Sequence, residues 1–387
     1  MNMSKKMTDF VQHSPIAIQR YMQQIGNLSA NELAKKSGLT TEKVYTLLKD
    51  ATPILKLSEL EQIAKVLFVP SVYLTNSELE YIPEIPTIVD HRNMEDVFNS
   101  SYAYQAVLRE AIKARNDYLY VLETMGEEPL DFNLMLSGDD AVEDAKIISD
   151  YFNLNHQKRA VKHNDYYSAW RSIFETKDIL VIEKSSKEPF GSDGFCLWFD
   201  VVPVIVVLST GQAAERRLFT IMHELVHLGL RQSVFDGKIN AINTNNQTER
   251  YCDTVAGHVI APFELLESCY QADMTVDELV LKVRSKAKAS RPAIAIQLKL
   301  AGYISDQQLR DYLKQLEQIR IAKNQSGEAK IPASTRIISH FGRYFVQTVI
   351  AAMSHNTISA STAKDILGIK PTYKPTTLQD VQRQVYM

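Results

Sequence analysis

The spacing of apolar residues predicts helices separated by short turns near the start of the chain. Between residues 28 and 74, apolar positions recur every three or four residues, which is the period of an amphipathic helix. Ser29 and Glu32 have the spacing of a capping box at a helix start, and Gly38 is placed to end that helix. The pattern therefore predicts a first helix between these residues.

Two more helices are expected in the same region. Thr40 or Thr41 is placed to cap a second helix over residues 42–49. Ser58 is the predicted cap of a third helix, which Pro70 ends. The segment 28–50, LSANELAKKSGLTTEKVYTLLKD, resembles the Xre-type helix-turn-helix.

The rest of the chain predicts a mostly α protein with a small β-sheet, an α+β fold. Two apolar runs rich in β-branched residues predict buried strands, Ile179–Ile182 and Val204–Leu208. A proline-containing segment, residues 78–90, predicts an extended linker. Helical periodicity predicts helices over 95–125, 216–230, 249–259, 276–321 with a break at Pro292, 341–353 and 361–367.

Composition bounds the class of protein. A chain of 387 residues favours two or three domains, and 45% hydrophobic residues allow a sizeable core. The formal net charge of -3 excludes a general binder of polyanions, so any nucleic-acid surface must be a local patch.

Cysteine usage and apolar runs predict a cytoplasmic location and no membrane association. The three cysteines, Cys196, Cys252 and Cys269, show no C-x-x-C spacing, which fits a reducing compartment. Residues 1–10 contain no apolar core of a signal peptide. The longest apolar stretch, Val201–Leu208, contains Pro203 and is too short to span a bilayer.

The segment 219–230, FTIMHELVHLGL, carries the strongest chemical signal. His223 and His227 are four residues apart, so they project from one helix face, as two imidazole ligands of one zinc ion must. Glu224 lies beside them and can act as general base toward a metal-bound water. The alternative is that two histidines on a helix are ordinary core or surface residues.

A third ligand is expected in the segment 249–262, ERYCDTVAGHVIAP. Glu249 and Asp253 are four apart on a predicted helix, so Glu249 can bind the metal while Asp253 orients a ligating histidine. The competing interpretation is two exposed acids on a helix face. His258 is the rival third ligand, and we disfavour it because it lies more than two turns beyond Glu249.

These segments resemble the ImmA/IrrE family of metallo-endopeptidases, in the subgroup with an N-terminal Xre-type helix-turn-helix. The resemblance implies a zincin-like core in which His223, His227 and Glu249 bind Zn²⁺ and Glu224 is the general base. Asp253 stands where the family often has Asn, and Cys252 where it has Ala. The resemblance is carried by three segments: 194–209, GFCLWFDVVPVIVVLS; 216–230, RRLFTIMHELVHLGL; and 249–262. DHR at 90–92 and residues 341–368 also resemble the fused subgroup.

The domain organisation follows from the resemblance. We expect four parts: the Xre-type helix-turn-helix at 1–80, a linker and helical segment at 81–160, the zinc metallopeptidase-like domain at 161–270 and a helical C-terminal domain at 271–387.

The candidate recognition helix offers few groups for reading DNA. Its candidate contacts are Thr41, Lys43, Tyr45, Thr46 and Lys49, with no Arg, Asn or Gln for bidentate base contacts. Residues 1–80 contain nine Lys and Arg against eight Asp and Glu, so the region is nearly neutral. The alternative is a helix-turn-helix that contacts protein. A second basic segment, residues 282–291, is interpreted as a solvated helix face, with an acidic or nucleic-acid partner as the alternative.

Two functions are compatible with these residues. The resemblance implies a zinc metallo-endopeptidase that cleaves a regulatory protein such as a repressor, in transcriptional, stress or toxin–antitoxin control. The alternative is a non-proteolytic antitoxin or transcription regulator that binds DNA and a toxin such as a PIN-like ribonuclease. A peptidase also needs an oxyanion donor, for which Tyr251 and His258 are the candidates. Whether the chain forms a homo-oligomer is left open.

Overall fold

The structure is a computed structural model that describes residues 10–81, 102–154, 166–185, 193–210, 212–231, 245–287, 289–323 and 331–386. The chain divides into two compact units. The first contains residues 1–85 and 92–112, and the second contains residues 86–91 and 113–387.

The first unit is a small helical core. A two-stranded antiparallel sheet pairs Phe10 with Lys56 and Val11 with Leu55. Apolar side chains from each helix, such as Ile18, Leu33 and Leu47, are completely buried. The elements of this unit are β1 (Phe10–Val11), α1 (Pro15–Gln24), α2 (Ala30–Ser37), α3 (Thr41–Lys49), β2 (Leu55–Lys56), α4 (Leu57–Leu67) and the first part of α5 (Tyr102–Met125).

The predicted caps of α2 and α3 are observed. The Glu32 amide donates to the Ser29 hydroxyl at 3.3 Å, and the Glu32 carboxylate accepts from the Ser29 amide at 3.0 Å. Gly38 follows α2 with φ 73°, a left-handed conformation that glycine adopts without strain. Thr40, rather than Thr41, caps α3 by accepting from the Lys43 amide at 3.3 Å.

The predicted cap of α4 is wrong. Helix α4 begins at Leu57, so Ser58 lies inside its first turn. Lys56 occupies the N-cap position because β2 ends there, and the Glu59 carboxylate reaches back to accept its amide at 2.8 Å. Glu59 is therefore the acid of a capping box at this helix start, and the N-cap side chain itself makes no capping hydrogen bond.

The second unit consists of helices around a three-stranded sheet. Its strands are β3 (Leu180–Lys184), β4 (Gly194–Leu197) and β5 (Val204–Leu208), and its helices are the end of α5, α6 (Ala141–Tyr151), α7 (Tyr166–Glu175), α8 (Ala214–Leu230), α9 (Asn245–Ile260), α10 (Phe263–Cys269), α11 (Val276–Ala287), α12 (Arg291–Leu300), α13 (Asp306–Lys323), α14 (Ala333–Phe341), α15 (Arg343–Ser354), α16 (Ala360–Ile366) and α17 (Thr377–Val385).

The sheet positions the helix that carries the two histidines. Its strand order is β3–β5–β4, with β3 parallel and β4 antiparallel to β5. All five residues of β5 are buried, as expected for a central strand of β-branched residues. Helix α8 packs on β4 and β5 and also contacts α7 and α9, so it lies in the interior of the unit.

A buried arginine joins the C-terminal helices to the sheet. The Arg171 guanidinium on α7 pairs with Glu175 at 2.7 Å and with Glu183 at 2.8 Å. It also donates to the carbonyl oxygen of Ser339 at 2.6 Å, on α14. These bonds satisfy a charge that would otherwise be costly to bury, and α14 packs directly on β3.

The structure confirms a mostly α protein with a small β-sheet. Helices α1, α6, α7, α10, α14 and α17 were not predicted. The helical stretch predicted over 276–321 is divided into α11, α12 and α13. Pro292 lies just after the break between α11 and α12, in the first turn of α12, where its missing amide hydrogen costs nothing. Residues 82–101, which include most of the predicted linker, the DHR segment and the start of the 95–125 helix, lie outside the described residues.

One apolar core extends from Phe132 to Tyr312, across the predicted boundaries at 160 and 270. The four predicted domains stay predictions. Over the described parts of the chain, no helix is both long and apolar enough to cross a membrane.

Candidate metal centre

Helix α8 presents the two histidines from a buried position. Its residues from Leu218 to Gly229 are almost all buried, because the helix is enclosed by the sheet and by neighbouring helices. His223 and His227 are 5% and 7% exposed, and Glu224 is 8% exposed. Three polar side chains in such a place need partners, since an unpaired buried polar group is costly.

Helix α9 supplies those partners. It packs along α8 and brings Glu249 to the two imidazole rings. The Glu249 carboxylate oxygens lie 3.4 Å from His223 Nε2 and 3.3 Å from His227 Nε2, and the two Nε2 atoms are 3.1 Å apart. The structure thus brings the three predicted ligands together, with one ligand atom of each within 4.8 Å of the others.

The donor types fit a zinc ion. Bonds of about 2.0–2.1 Å from zinc to nitrogen and oxygen place neighbouring tetrahedral ligands about 3.3–3.4 Å apart. The two Nε2 atoms are near that spacing at 3.1 Å, and Glu249 presents one oxygen to each ring, Oε2 to His223 and Oε1 to His227. Two neutral imidazoles and one carboxylate are also the donor types of a catalytic zinc site, which keeps its fourth position open.

The outer nitrogens of both rings are fixed by residues of α9. His223 Nδ1 lies 2.8 Å from Asp253 Oδ1, and His227 Nδ1 lies 3.5 Å from Cys252 Sγ. If each Nδ1–H donates to its partner, each Nε2 is left as the lone-pair donor that faces Glu249. The predicted role of Asp253, orienting a ligating histidine, agrees with this geometry.

The contact of Cys252 was not predicted. Its position three residues after Glu249 puts it on the same face of α9, so the helical period was a usable signal. Burial, and then the nearby Glu249 carboxylate, raises the pKa of the Cys252 thiol well above its usual range. The thiol therefore stays neutral and serves as a hydrogen-bond partner of His227.

Charge in the cluster is strongly coupled. Burial alone would lower the pKa of His223, but its hydrogen bonds with Asp253 and Glu249 outweigh burial and raise this pKa to about 10. Burial would raise the pKa of Glu249, but its bonds with the two histidines outweigh burial and hold the pKa far below its usual range. Without a metal, these pKa shifts favour a protonated His223 beside an ionised Glu249.

Glu224 is placed beside the three ligands and is not one of them. It lies next to strand β4, where a Cβ atom on Gly194 would be 3.5 Å from Glu224 Oε1 and 2.7 Å from Thr220 Cγ2. Burial, and then the carboxylate of Glu224, raises the pKa of the Cys196 thiol. A glycine at position 194 thus lets α8 approach the strand closely at the predicted base.

His258 is not a ligand in this structure. The metal-ligand cluster found in the described residues contains Glu249 in its place. The His258 ring packs edge-on against Phe263 with centroids 4.5 Å apart, and burial lowers its pKa. Since it lies two turns further along α9, it joins the apolar core, as the interpretation that disfavoured it predicts.

Tyr251, a candidate oxyanion donor, is bonded to α6. Its hydroxyl donates to Asp144 Oδ2 at 2.6 Å, and Asp144 also accepts the amides of Ser137 and Gly138. This bond fixes α9 to α6. The oxyanion roles of Tyr251 and His258 stay predictions.

A pocket of about 400 Å³ borders the cluster. Asp253 and Thr220 belong to its wall, so it begins at the carboxylate that holds His223 and one turn before Glu224. Its lining residues come from β4, α8, α9 and α12 and the residues preceding these elements: Asp193, Arg216, Phe219, Thr220, Asp253, Thr254, Ser290, Pro292, Ala293, Ile296, Gln297 and Leu300.

The candidate DNA contacts on α3 are separate side chains at the surface. Thr41, Tyr45, Thr46 and Lys49 are exposed. Lys43 is instead half-buried and pairs with Glu59 of α4, with both carboxylate oxygens 2.7 Å from its Nζ. One of the two lysines of the candidate recognition helix is thus already neutralised.

The basic segment 282–291 is partly neutralised as well. Arg284 pairs with Glu215, and Arg291 lies 3.5 Å from Asp277. Residue 288 lies outside the described residues. These pairs favour the interpretation of a solvated helix face.

Two histidines one turn apart with an acid beside them, and a glutamate from the next helix, define a metallopeptidase-like site. Residues 174–299 match the Peptidase M78 family model, described as the IrrE N-terminal-like domain. This third of the chain supports the resemblance to the ImmA/IrrE family, and it includes all three ligands and Glu224. No curated protein and no solved structure matches the chain.

Proposed function

We propose that this protein is a zinc-dependent metallo-endopeptidase that cleaves a regulatory protein such as a repressor. The observation that carries the proposal is the convergence of His223, His227 and Glu249, with one potential ligand atom of each within 4.8 Å of the others. The match of residues 174–299 to a peptidase family model supports it independently.

His223, His227 and Glu249 would hold the ion, with Asp253 and Cys252 fixing the two rings. Zinc bound in this way lowers the pKa of water and polarises a carbonyl group. Among the residues that the structure describes, Glu224 is the buried carboxylate beside the ligands that is not itself part of the cluster. It would accept a proton from the attacking water and pass it to the leaving amine.

The experiment compares Glu224→Gln with the wild-type full chain. Glutamine keeps the shape of the side chain and cannot accept the proton, so zinc content should stay at one per chain while peptide cleavage is lost. Glu264→Gln, at an exposed glutamate of α10, is the matched control and should cleave at the wild-type rate. Cleavage by Glu224→Gln at the wild-type rate would remove the proposed base.

The N-terminal unit supports a regulatory substrate. Its helix α3 displays exposed Tyr45 and Lys49, which suit binding to DNA or to another protein. Attachment of such a unit to a peptidase would direct cleavage to a partner held at the same place.

The second candidate function is a non-proteolytic regulator or antitoxin that binds DNA and a toxin such as a PIN-like ribonuclease. The observation in its favour is the surface of α3, which does not depend on the metal. The two functions differ in the Glu224→Gln test: a regulator without proteolysis would keep its full effect on its target in this variant.

A further inference from the structure

The pocket beside the metal cluster has the chemistry of a subsite for an apolar side chain. Its wall is formed largely by apolar groups of α8 and α12, among them Phe219, Ile296 and Leu300. Its volume of about 400 Å³ is at the lower end for pockets that bind small ligands, which gives room for one large side chain and adjoining backbone.

The charged residues that line the pocket are already paired. Arg216 binds Asp193 through both its Nε and Nη2 atoms, at 2.6–3.0 Å, and the Arg216 side chain is half exposed at the rim. Asp253 is bound to His223. A charged side chain entering the pocket would find no counterion among these residues, whereas an apolar one would lose water from its surface.

Gln297 closes the inner end of the pocket against α9. The residue is 3% exposed and belongs to the pocket wall. A Cβ atom on Gly257 would lie 1.8 Å from Gln297 Nε2, so the glycine in the middle of α9 makes room for this carboxamide. The Oε1 atom is fully buried, so the accessible wall of the pocket is formed mainly by the apolar groups.

The pocket is also in the correct place. Thr220 precedes His223 by three residues, and a Cβ atom on Gly194 would meet both Thr220 Cγ2 and Glu224 Oε1, so Thr220 and Glu224 border the same strand position. Asp253 is bonded to His223. A peptide whose scissile bond reached the cluster could place the side chain next to that bond in this pocket.

We propose that this pocket selects substrates with a large apolar side chain, such as Leu, Met or Phe, beside the scissile bond. Ile296 and Leu300 are then specificity-determining residues. This inference rests on the proposed function, because it takes the cluster as the place of reaction.

The test uses the zinc-loaded full chain and two peptide hydroxamates, one with a leucine-type arm and one with a glycine-type position lacking the arm. Isothermal titration measures their affinities without any cleavage. Burial of the arm should make the leucine-type compound bind about 10- to 100-fold more tightly. Equal affinity of the two compounds would overturn the inference while leaving the metal site and the proposed function intact.

Variants locate the effect. Ile296 is 43% exposed, so Ile296→Lys should fold and should reduce the preference for the leucine-type arm to within threefold. Leu281→Lys, at a 39% exposed position of α11 outside the pocket, is the matched control and should keep the full preference. A full preference in Ile296→Lys would show that the arm binds elsewhere and would overturn the inference.

A chain that holds no zinc, or zinc-loaded protein that binds neither compound, would overturn the proposed function together with this inference, whereas selective binding without any peptide cleavage would remove only the peptidase activity.

Discussion

Helices α3 and α8 use the same four-residue spacing in different surroundings. Thr41, Tyr45 and Lys49 lie one turn apart on α3 and are exposed, whereas His223 and His227 lie one turn apart on α8 and are buried. The α8 pair meets a carboxylate and two orienting groups from α9.

The difference shows what distinguishes a built site from a helix face. Spacing places side chains on one face of any helix. A site in addition removes these side chains from water and satisfies each of their polar atoms with a specific partner. On α3, the described lysine that does have such a partner, Lys43, is bound to Glu59 and so contributes to stability more than to recognition.

The largest effect is expected from removing a ligand. His227→Ala deletes one of three convergent donors, so the variant should lose its zinc on dialysis against metal-free buffer, and added zinc should no longer raise its thermal midpoint. His258→Ala, which removes the buried histidine of α9, should keep wild-type zinc content. Zinc loss in His258→Ala alone would restore the rival ligand set.

Lower pH should weaken the binding of zinc. The folded apo protein has the pKa of His223 raised to about 10, above its ordinary value of 6.5, so a proton must leave when zinc binds at any lower pH. Glu249, with a lowered pKa, is already ionised and releases none. Zinc affinity should therefore fall about tenfold for each unit of pH below 10.

The same proton affects the apo protein in the opposite direction. A raised folded-state pKa stabilises the metal-free fold fully below pH 6.5, and this contribution is lost as the pH rises toward 10. Isothermal titrations of zinc in buffers of different ionisation enthalpy, at pH 6.5 and 7.5, give the number of protons released. Release of no proton would contradict the assigned charge of His223.

A smaller effect on zinc affinity is expected from the residue that orients His223. Asp253→Ala frees the His223 ring, and loss of such an orienting partner typically lowers metal affinity about 10- to 100-fold. Thr254→Ala, at the adjacent and partly buried position, is the control and should bind zinc normally. An Asp253→Ala affinity equal to that of the control would show that the 2.8 Å contact does not orient the ring.

The smallest effect is expected on α3. Lys43→Ala should cost about 0.2–1 kcal/mol of stability, as for other partly exposed ion pairs, and should leave the salt dependence of binding to the chain's upstream DNA unchanged. Lys49→Ala should lower the salt slope by about one. Equal slopes for both variants would show that Lys49 contacts no phosphate, and no DNA binding by the wild-type chain would favour a protein partner for α3.

The sequence predicts the ligands better than their surroundings, for a physical reason. His223 and His227 are local on one helix, and Glu249 and Asp253 are local on another, so the helical period alone places each pair. The pocket depends instead on where α12 packs. Nothing near Gly257 in the sequence indicates that Gln297, forty residues later, fills the space above it.

Helix starts and ends show the same limit. The caps at Ser29 and Gly38 are local and were predicted correctly, whereas the start of α4 depends on the pairing of β2 with β1, which local pattern does not reveal. Helix α7 was not predicted. Its Arg171 binds carbonyl oxygens of α14 nearly 170 residues away, and the local sequence does not show this contact. Tertiary contacts decide such elements.

The central claim is that α8 and α9 together form a single zinc site. Elemental analysis of the untagged full chain, purified without chelator, tests it directly. The arrangement of His223, His227 and Glu249 predicts one zinc per chain, with X-ray absorption showing two histidine ligands and oxygen donors at about 2.0–2.1 Å. Protein that is folded yet holds no stoichiometric metal, and binds none when zinc is added, would contradict it.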